Sequence, residues 1–128
     1  MPECRVVSGG FTADGGERAA SELLDRCPGL TALICVNDQM AVGALTAAHR
    51  RGLNVPADLT IVGFGDTIAA RQAWPPLTTV SVPRHEMGAT AMCGLLEQLQ
   101  GGPAVASSLL ECALVVRGSC GPPPTRGL

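Results

Sequence analysis

Apolar runs that end abruptly in polar turn formers, each followed by a segment with helical spacing, constrain this chain more than any other feature. Ala32-Leu33-Ile34-Cys35-Val36 is apolar at every position, as a strand must be when both faces of its sheet are covered. It stops at Asn37-Asp38, either of which can cap the helix that follows. That helix, Met40 to Arg50, collects Met40, Ala41, Ala44, Leu45 and Ala48 on one face, with Arg50-Arg51 at its negative end and Gly52 as a left-handed stop. Leu59-Thr60-Ile61-Val62 repeats the buried pattern and breaks at Gly63-Phe64-Gly65-Asp66. Upstream, the short run ending at Val7 gives way to Ser8-Gly9-Gly10, and Thr12 can cap a helix carrying Gly16, Ala20, Leu23 and Cys27.

Further along, Thr78 to Val82 is β-branched and Pro83 suits the first turn of a helix running to about Gln100. Met87, Ala91, Leu95 and Leu99 form an apolar stripe on it that reads as core, and Leu109 to Val116 reads as a final strand. From Gly118 the Gly/Pro-rich segment 118–128 has too little apolar surface to offset its ordering cost and is expected to be disordered, leaving 1–117 as the folded portion. This alternation predicts an α/β fold with right-handed βαβ units and a mainly parallel sheet.

Composition excludes several classes of function. The net charge is −2, and the nine basic residues, all arginine, are scattered, so no face is built for a phosphate backbone. No apolar stretch approaches the ~20 residues of a membrane span, and Met1-Pro2-Glu3-Cys4 lacks the character of a signal peptide, which points to a cytoplasmic chain. The six cysteines Cys4, Cys27, Cys35, Cys93, Cys112 and Cys120 form no C-x-x-C pair; Cys35 and Cys112 read as small buried hydrophobes and Cys120 as the most exposed thiol. No metal or cofactor is expected.

In a parallel sheet every strand-to-helix loop emerges at one edge, where ligands of such folds bind. Ser8 to Thr12, Asn37-Asp38 and Gly65-Asp66 meet there. A polyhydroxylated ligand needs amide and carboxylate partners for adjacent hydroxyls and a flat ring against its C–H face; Asn37, Asp66 and Phe11 have that chemistry. From spacing alone, Asn37, Asp38 and Asp66 serve equally well as caps and turn formers.

Four motifs in order, Val36-Asn37-Asp38-Gln39-Met40-Ala41-Val42-Gly43-Ala44-Leu45, Arg51-Gly52-Leu53-Asn54-Val55-Pro56-Ala57-Asp58, Ile61-Val62-Gly63-Phe64-Gly65-Asp66 and Pro75-Pro76-Leu77-Thr78-Thr79-Val80, strongly resemble the lactose/galactose repressor (LacI/GalR) family of bacterial transcription regulators. The resemblance runs from about Ser8 to Ser119 and implies a three-layer sandwich, a partial type I periplasmic-binding-protein-like effector domain. Members carry an N-terminal helix-turn-helix and then two α/β lobes; this chain looks like the last third, so DNA would be reached only through a part outside it. The resemblance implies a sugar-like small-molecule effector stacked on Phe11 and hydrogen-bonded by Asn37, with Asp38 a structural partner. The family's usual two acidic residues after the glycine-aromatic pair are here Gly65 and Asp66, so one acceptor is missing. Arg84 matches a place where members set a ligand contact, and reads either as an anchor for an acidic effector or as a solvated helix start. Val42, Leu45 and Trp74 match surfaces of two-fold dimers, and read either as interface or as ordinary core.

Two other functions compete with a regulator that senses a ligand and shifts its DNA-binding parts. A sugar-binding protein of an uptake system shares the fold. A small α/β enzyme would need a nucleophile and base pair; there is no G-x-S-x-G, Gly63-Phe64-Gly65 lacks the third glycine of a dinucleotide loop, and His49 and His85 fall at helix ends. Only Asp38 with Asp66 remains as an acid–base pair.

Overall fold

In the structure, a computed structural model, residues 6–103 and 107–124 are described. Among the described residues eight elements follow one another: α1 (Ala13–Arg26), β1 (Ala32–Ile34), α2 (Asp38–Arg50), β2 (Thr60–Gly65), α3 (Ile68–Gln72), β3 (Thr78–Ser81), α4 (Arg84–Leu99) and β4 (Ala113–Val115). The sheet has the order β1-β2-β3-β4, with β1 parallel to β2 and β2 parallel to β3. The α/β class and the mainly parallel sheet are those the alternating pattern requires. The chain divides into two compact units, one of residues up to Ser81 together with those from Leu114 on, the other of Val82–Ala113.

In the first unit, α1 starts at Thr12, whose side chain accepts from the Gly15 backbone N–H at 3.1 Å. α2 starts at Asn37, whose Oδ1 accepts from Met40 N–H at 2.8 Å. The two helices cross with their backbones in contact: a Cβ on Gly43 would lie 1.9 Å from the Ala13 carbonyl oxygen, so only glycine fits there. Arg50 pairs with Glu17, and Arg51 reaches Asp25 and Ser21, at the rim of the same crossing. α2 ends where Gly52 turns at φ +69°. The core is one cluster in which Ala41, Ala44, Leu45 and Ala48 of α2 pack on Leu33, Ile61 and Leu77.

β1 departs from the expected burial on both faces. Leu33 is buried beneath the helices, whereas Ile34, pointing the other way, is 85% exposed. A period-two strand divides its side chains between faces, and in this unit the helical layer of α1 and α2 lies on the Leu33 side. Phe64, paired in register with Val80 on the next strand, is also exposed. β2 runs on through Gly63-Phe64-Gly65, three residues past the break the glycines suggested.

The tail also differs from expectation. Ser119 is fully buried: its Oγ accepts from Thr78 N–H at 2.8 Å and donates to the Ile61 carbonyl at 2.6 Å, while Ile61 N–H donates to its carbonyl at 2.9 Å. Gly121 N–H donates to Thr60 Oγ1 at 3.1 Å. Ser119 and Gly121 are therefore anchored through backbone groups and hydroxyls, which composition-based reasoning from apolar area does not register. Residues 125–128 lie outside the described set, as do Cys4 and residues 104–106.

The second unit carries α4. Its stripe, expected to be core, is exposed at Met87, Leu95 and Leu99, and Gly94 is the buried residue of the helix. Helical spacing identifies an apolar face but not the body that covers it. Cys112, expected to be buried, is exposed; Cys35 is half-buried, and burial pushes its thiol up to about 11. Among the described residues no helix is long and apolar enough to cross a membrane.

Candidate ligand-binding rim

The site residues of the first unit come from loops that leave strands or lead into helices. Asn37 follows β1, Asp66 follows β2, and Phe11 precedes α1. Asn37 does two things at once: Oδ1 caps α2, and Nδ2 donates to the Phe11 carbonyl at 3.1 Å. That bond joins loops 26 residues apart, and Phe11 itself is 71% exposed.

Phe11 has φ 62° and Asp66 φ 50°, the two non-glycine residues in the left-handed region among those described. Such backbone is costly for residues bearing a Cβ and concentrates where function imposes a geometry. Here each is held by its surroundings, Phe11 through Asn37 and Asp66 through its backbone N–H, which donates to Thr79 Oγ1 at 3.4 Å.

Asp38, fully buried, is the hub behind the rim. Its Oδ2 accepts from Thr67 N–H at 2.7 Å and from Thr67 Oγ1 at 2.9 Å, and its Oδ1 accepts from Thr79 Oγ1 at 2.5 Å. One carboxylate thus ties the start of α2 to the β2–α3 loop and to β3. Through Thr79 it also reaches Asp66, so Phe11, Asn37 and Asp66 belong to one hydrogen-bonded chain: Phe11–Asn37 directly, Asn37 by covalent neighbour to Asp38, and Asp38 to Asp66 through Thr79.

Asp66 does not stand free as the hydroxyl acceptor the sequence suggested. Oδ1 accepts from Arg117 Nη2 at 2.5 Å and Oδ2 from Arg71 Nη2 at 3.0 Å, leaving the side chain 13% exposed. The guanidinium of Arg117, and then that of Arg71, hold this carboxyl below its ordinary value. Arg117, Thr67 and Thr79 were missed at the sequence level. The arginine ending Leu114-Val115-Val116-Arg117 signals a strand exit but not its partner 51 residues away.

Arg84 is the first residue of α4, in the Val82–Ala113 unit. Leu45, read either as interface or as core, is 4% exposed and belongs to the core of this chain, because it faces the sheet from α2. Val42 is partly buried. Trp74 is 81% exposed, just after α3, whose first residue Ile68 is also exposed.

A family model for the periplasmic-binding-protein-like domain matches residues 2–120. The transcriptional repressor CytR of Escherichia coli (strain K12) is 44% identical over 115 residues, which cover 89% of this chain and 34% of the repressor. The chain therefore spans about a third of that relative's length. A transcriptional regulator CelR–cellobiose complex superimposes with TM-score 0.89 at 36% identity, over 93% of this chain and 37% of that one. A dimeric Lac repressor with an 11-residue C-terminal deletion does so with TM-score 0.83 at 35% identity, over 90% and 42%. The chain belongs to the periplasmic-binding-protein-like domain family, and its likeness within it is to the effector domains of LacI-family transcriptional regulators.

Proposed function

We propose that this chain is the ligand-sensing and dimerisation part of a cytoplasmic LacI-family transcriptional regulator, binding a sugar-like effector at the rim of Phe11, Asn37 and Asp66. The observation that carries the reading is the Asn37–Phe11 hydrogen bond, which ties the backbone of an exposed aromatic residue to an amide at the strand-exit edge of a parallel sheet. The cellobiose complex of the CelR regulator supports the effector class, and the dimeric Lac repressor supports two-fold assembly, here through Trp74 and Val42. Control of DNA would pass through a helix-turn-helix outside this chain, so function is linkage between ligand occupancy and protein arrangement.

A catalytic role is disfavoured by the commitments of the acid–base candidates. Asp66 is held deprotonated by two guanidinium groups, and Asp38 is buried with three donors on its oxygens. A role in sugar uptake would share the fold, but the relatives found are regulators.

Isothermal titration with cellobiose, lactose, glucose and glucose 6-phosphate tests the proposal. A binding sugar should lose at least about tenfold in affinity on Phe11→Ala, the size of a lost ring contact of ~1.4 kcal/mol. Asn37→Ala should weaken it further, since it releases both the loop and the cap. Equal binding by Phe11→Ala would refute the assignment of the rim.

A further inference from the structure

The chain crosses between its two units twice, after Ser81 at the end of β3 and before Leu114 in β4. β3 and β4 are neighbours in the sheet, so the strands that lead into and out of Val82–Ala113 lie side by side. Arg117 binds this pair together. Its backbone N–H donates to Thr78 Oγ1 at 2.9 Å and its Nη1 to the Leu77 carbonyl at 2.9 Å, while Nη2 reaches Asp66 at 2.5 Å. Thr78 lies three residues before the first crossing (78 to 81) and Arg117 three residues after the second (114 to 117).

We propose that Arg117 is a positioning residue that links the rim loop carrying Asp66 to the two crossing strands, so that a change at Asp66 is felt at both crossings together. The inference deepens the effector reading above by naming the path from the rim to the strands.

Three features of the geometry favour a link over a generic surface ion pair. Both partners are largely buried, with side-chain exposures of 18% for Arg117 and 13% for Asp66, so solvent screens the pair little. The guanidinium is planar and presents several donors in fixed directions, so rotating it to follow Asp66 withdraws Nη1 from Leu77. Asp66 is also the backbone-strained residue of its loop, and the Thr79 hydroxyl that accepts from its N–H donates to buried Asp38 at the start of α2. A ligand hydroxyl that competes for the Asp66 carboxylate thereby loosens Arg117 from β3, whereas one that adds to it without competition leaves the staple closed.

Hydrogen exchange read by mass spectrometry on the 128-residue chain tests this without a ligand. In Arg117→Gln, exchange across 78–82 and 113–117 should rise at least tenfold while α1 and α2 keep their rates. Asp66→Asn should produce the same selective pattern, and the double variant should be no faster than either alone, because both remove one link. Arg117→Lys, which keeps the charge but cannot reach Asp66 and Leu77 with the same fork, should fall between the parent and Arg117→Gln. Glu22→Gln, which breaks the exposed Glu22–Arg26 pair of α1, is the control and should leave both segments unchanged.

Unchanged exchange at 78–82 and 113–117 in folded Arg117→Gln, or a uniform rise that includes α1 and α2, would overturn the proposal. If Arg117→Gln does not fold, Asp66→Asn decides by the same two criteria. Adding cellobiose to the parent chain tests the effector reading separately: absence of binding counts against that reading, while the unliganded variants still decide on Arg117.

Discussion

Removing the Asp38 carboxylate is the perturbation for which the structure supplies the clearest magnitude. Three donors converge on it, two from Thr67 and one from Thr79, and the residue has no exposed surface. Hydrogen bonds to a charged group contribute ~1.5–3 kcal/mol each, but the two threonine hydroxyls can rotate toward other acceptors once the carboxylate is gone. The Thr67 backbone N–H cannot, and an orphaned buried donor costs ~1–3 kcal/mol. Against these losses, alanine relieves the cost of burying a carboxylate. The balance for Asp38→Ala is a destabilisation of about 3 kcal/mol, equivalent to a fall in Tm of ~12 °C at roughly 4 °C per kcal/mol for a chain of this size. Asp38→Asn keeps an acceptor for Thr67 but turns an amide N–H₂ toward Thr79 Oγ1, which already accepts from Asp66 N–H, so about half the loss is expected. Urea denaturation followed by circular dichroism measures both variants. A loss below ~1 kcal/mol for Asp38→Ala, or equal losses for the two, would show that Asp38 is not the hub that holds the rim loops.

Ser119→Ala removes a buried acceptor for Thr78 N–H and a donor to Ile61, and should cost ~2 kcal/mol as a lower urea midpoint at unchanged m-value; a midpoint equal to the parent's would mean the C-terminal clasp contributes nothing. The depressed folded-state pKa of Asp66 adds stability that is fully present above its ordinary value of 3.8 and drains as the pH falls through the lower folded value. The Tm gap between the parent and Asp66→Asn should therefore hold at about pH 5 to 7 and narrow as the pH is lowered below 3.8, and a gap that does not change with pH counts against the ion pairs. Cys35, raised from 9.0 to about 11 by burial, is ~100-fold poorer in thiolate than an unperturbed thiol. Iodoacetamide near pH 8 should therefore label Cys93, Cys112 and Cys120 well before it, with peptide mass spectrometry the readout and comparable rates the refuting result. The same shift makes its contribution to stability present below pH 9.0 and lost as the pH rises through about 11. Trp74→Glu should lower the sedimenting mass if the exposed indole is an interface anchor, and an unchanged profile would assign Trp74 to the monomer surface.

Much of the fold could be read from short-range chemistry. Thr12 and Asn37 cap the helices the pattern assigned to them, Gly52 ends α2, and the parallel register of β1, β2 and β3 follows from helices intervening between strands. Phe11, Asn37 and Asp66 could be collected at one edge for the same reason, because successive strand exits in a parallel sheet cannot emerge anywhere else. What that reasoning could not see was how each polar group is spent. Asn37 is both a cap and a ligand of Phe11, and Asp66 is bound by two arginines, one of them 51 residues away.

Sequence by itself determined the elements, their order and the edge at which polar loops gather, because capping, turn chemistry and hydrophobic period act over a few residues. Only the tertiary structure decided which apolar faces are covered and which charges are paired. Leu45 became core and the α4 stripe stayed exposed although both carry the same helical signature, since burial depends on what lies opposite. The disorder expected from Gly118 failed at Ser119 for a related reason: its hydroxyl and its carbonyl bond to two strands, and those contacts exist only once β2 and β3 are side by side.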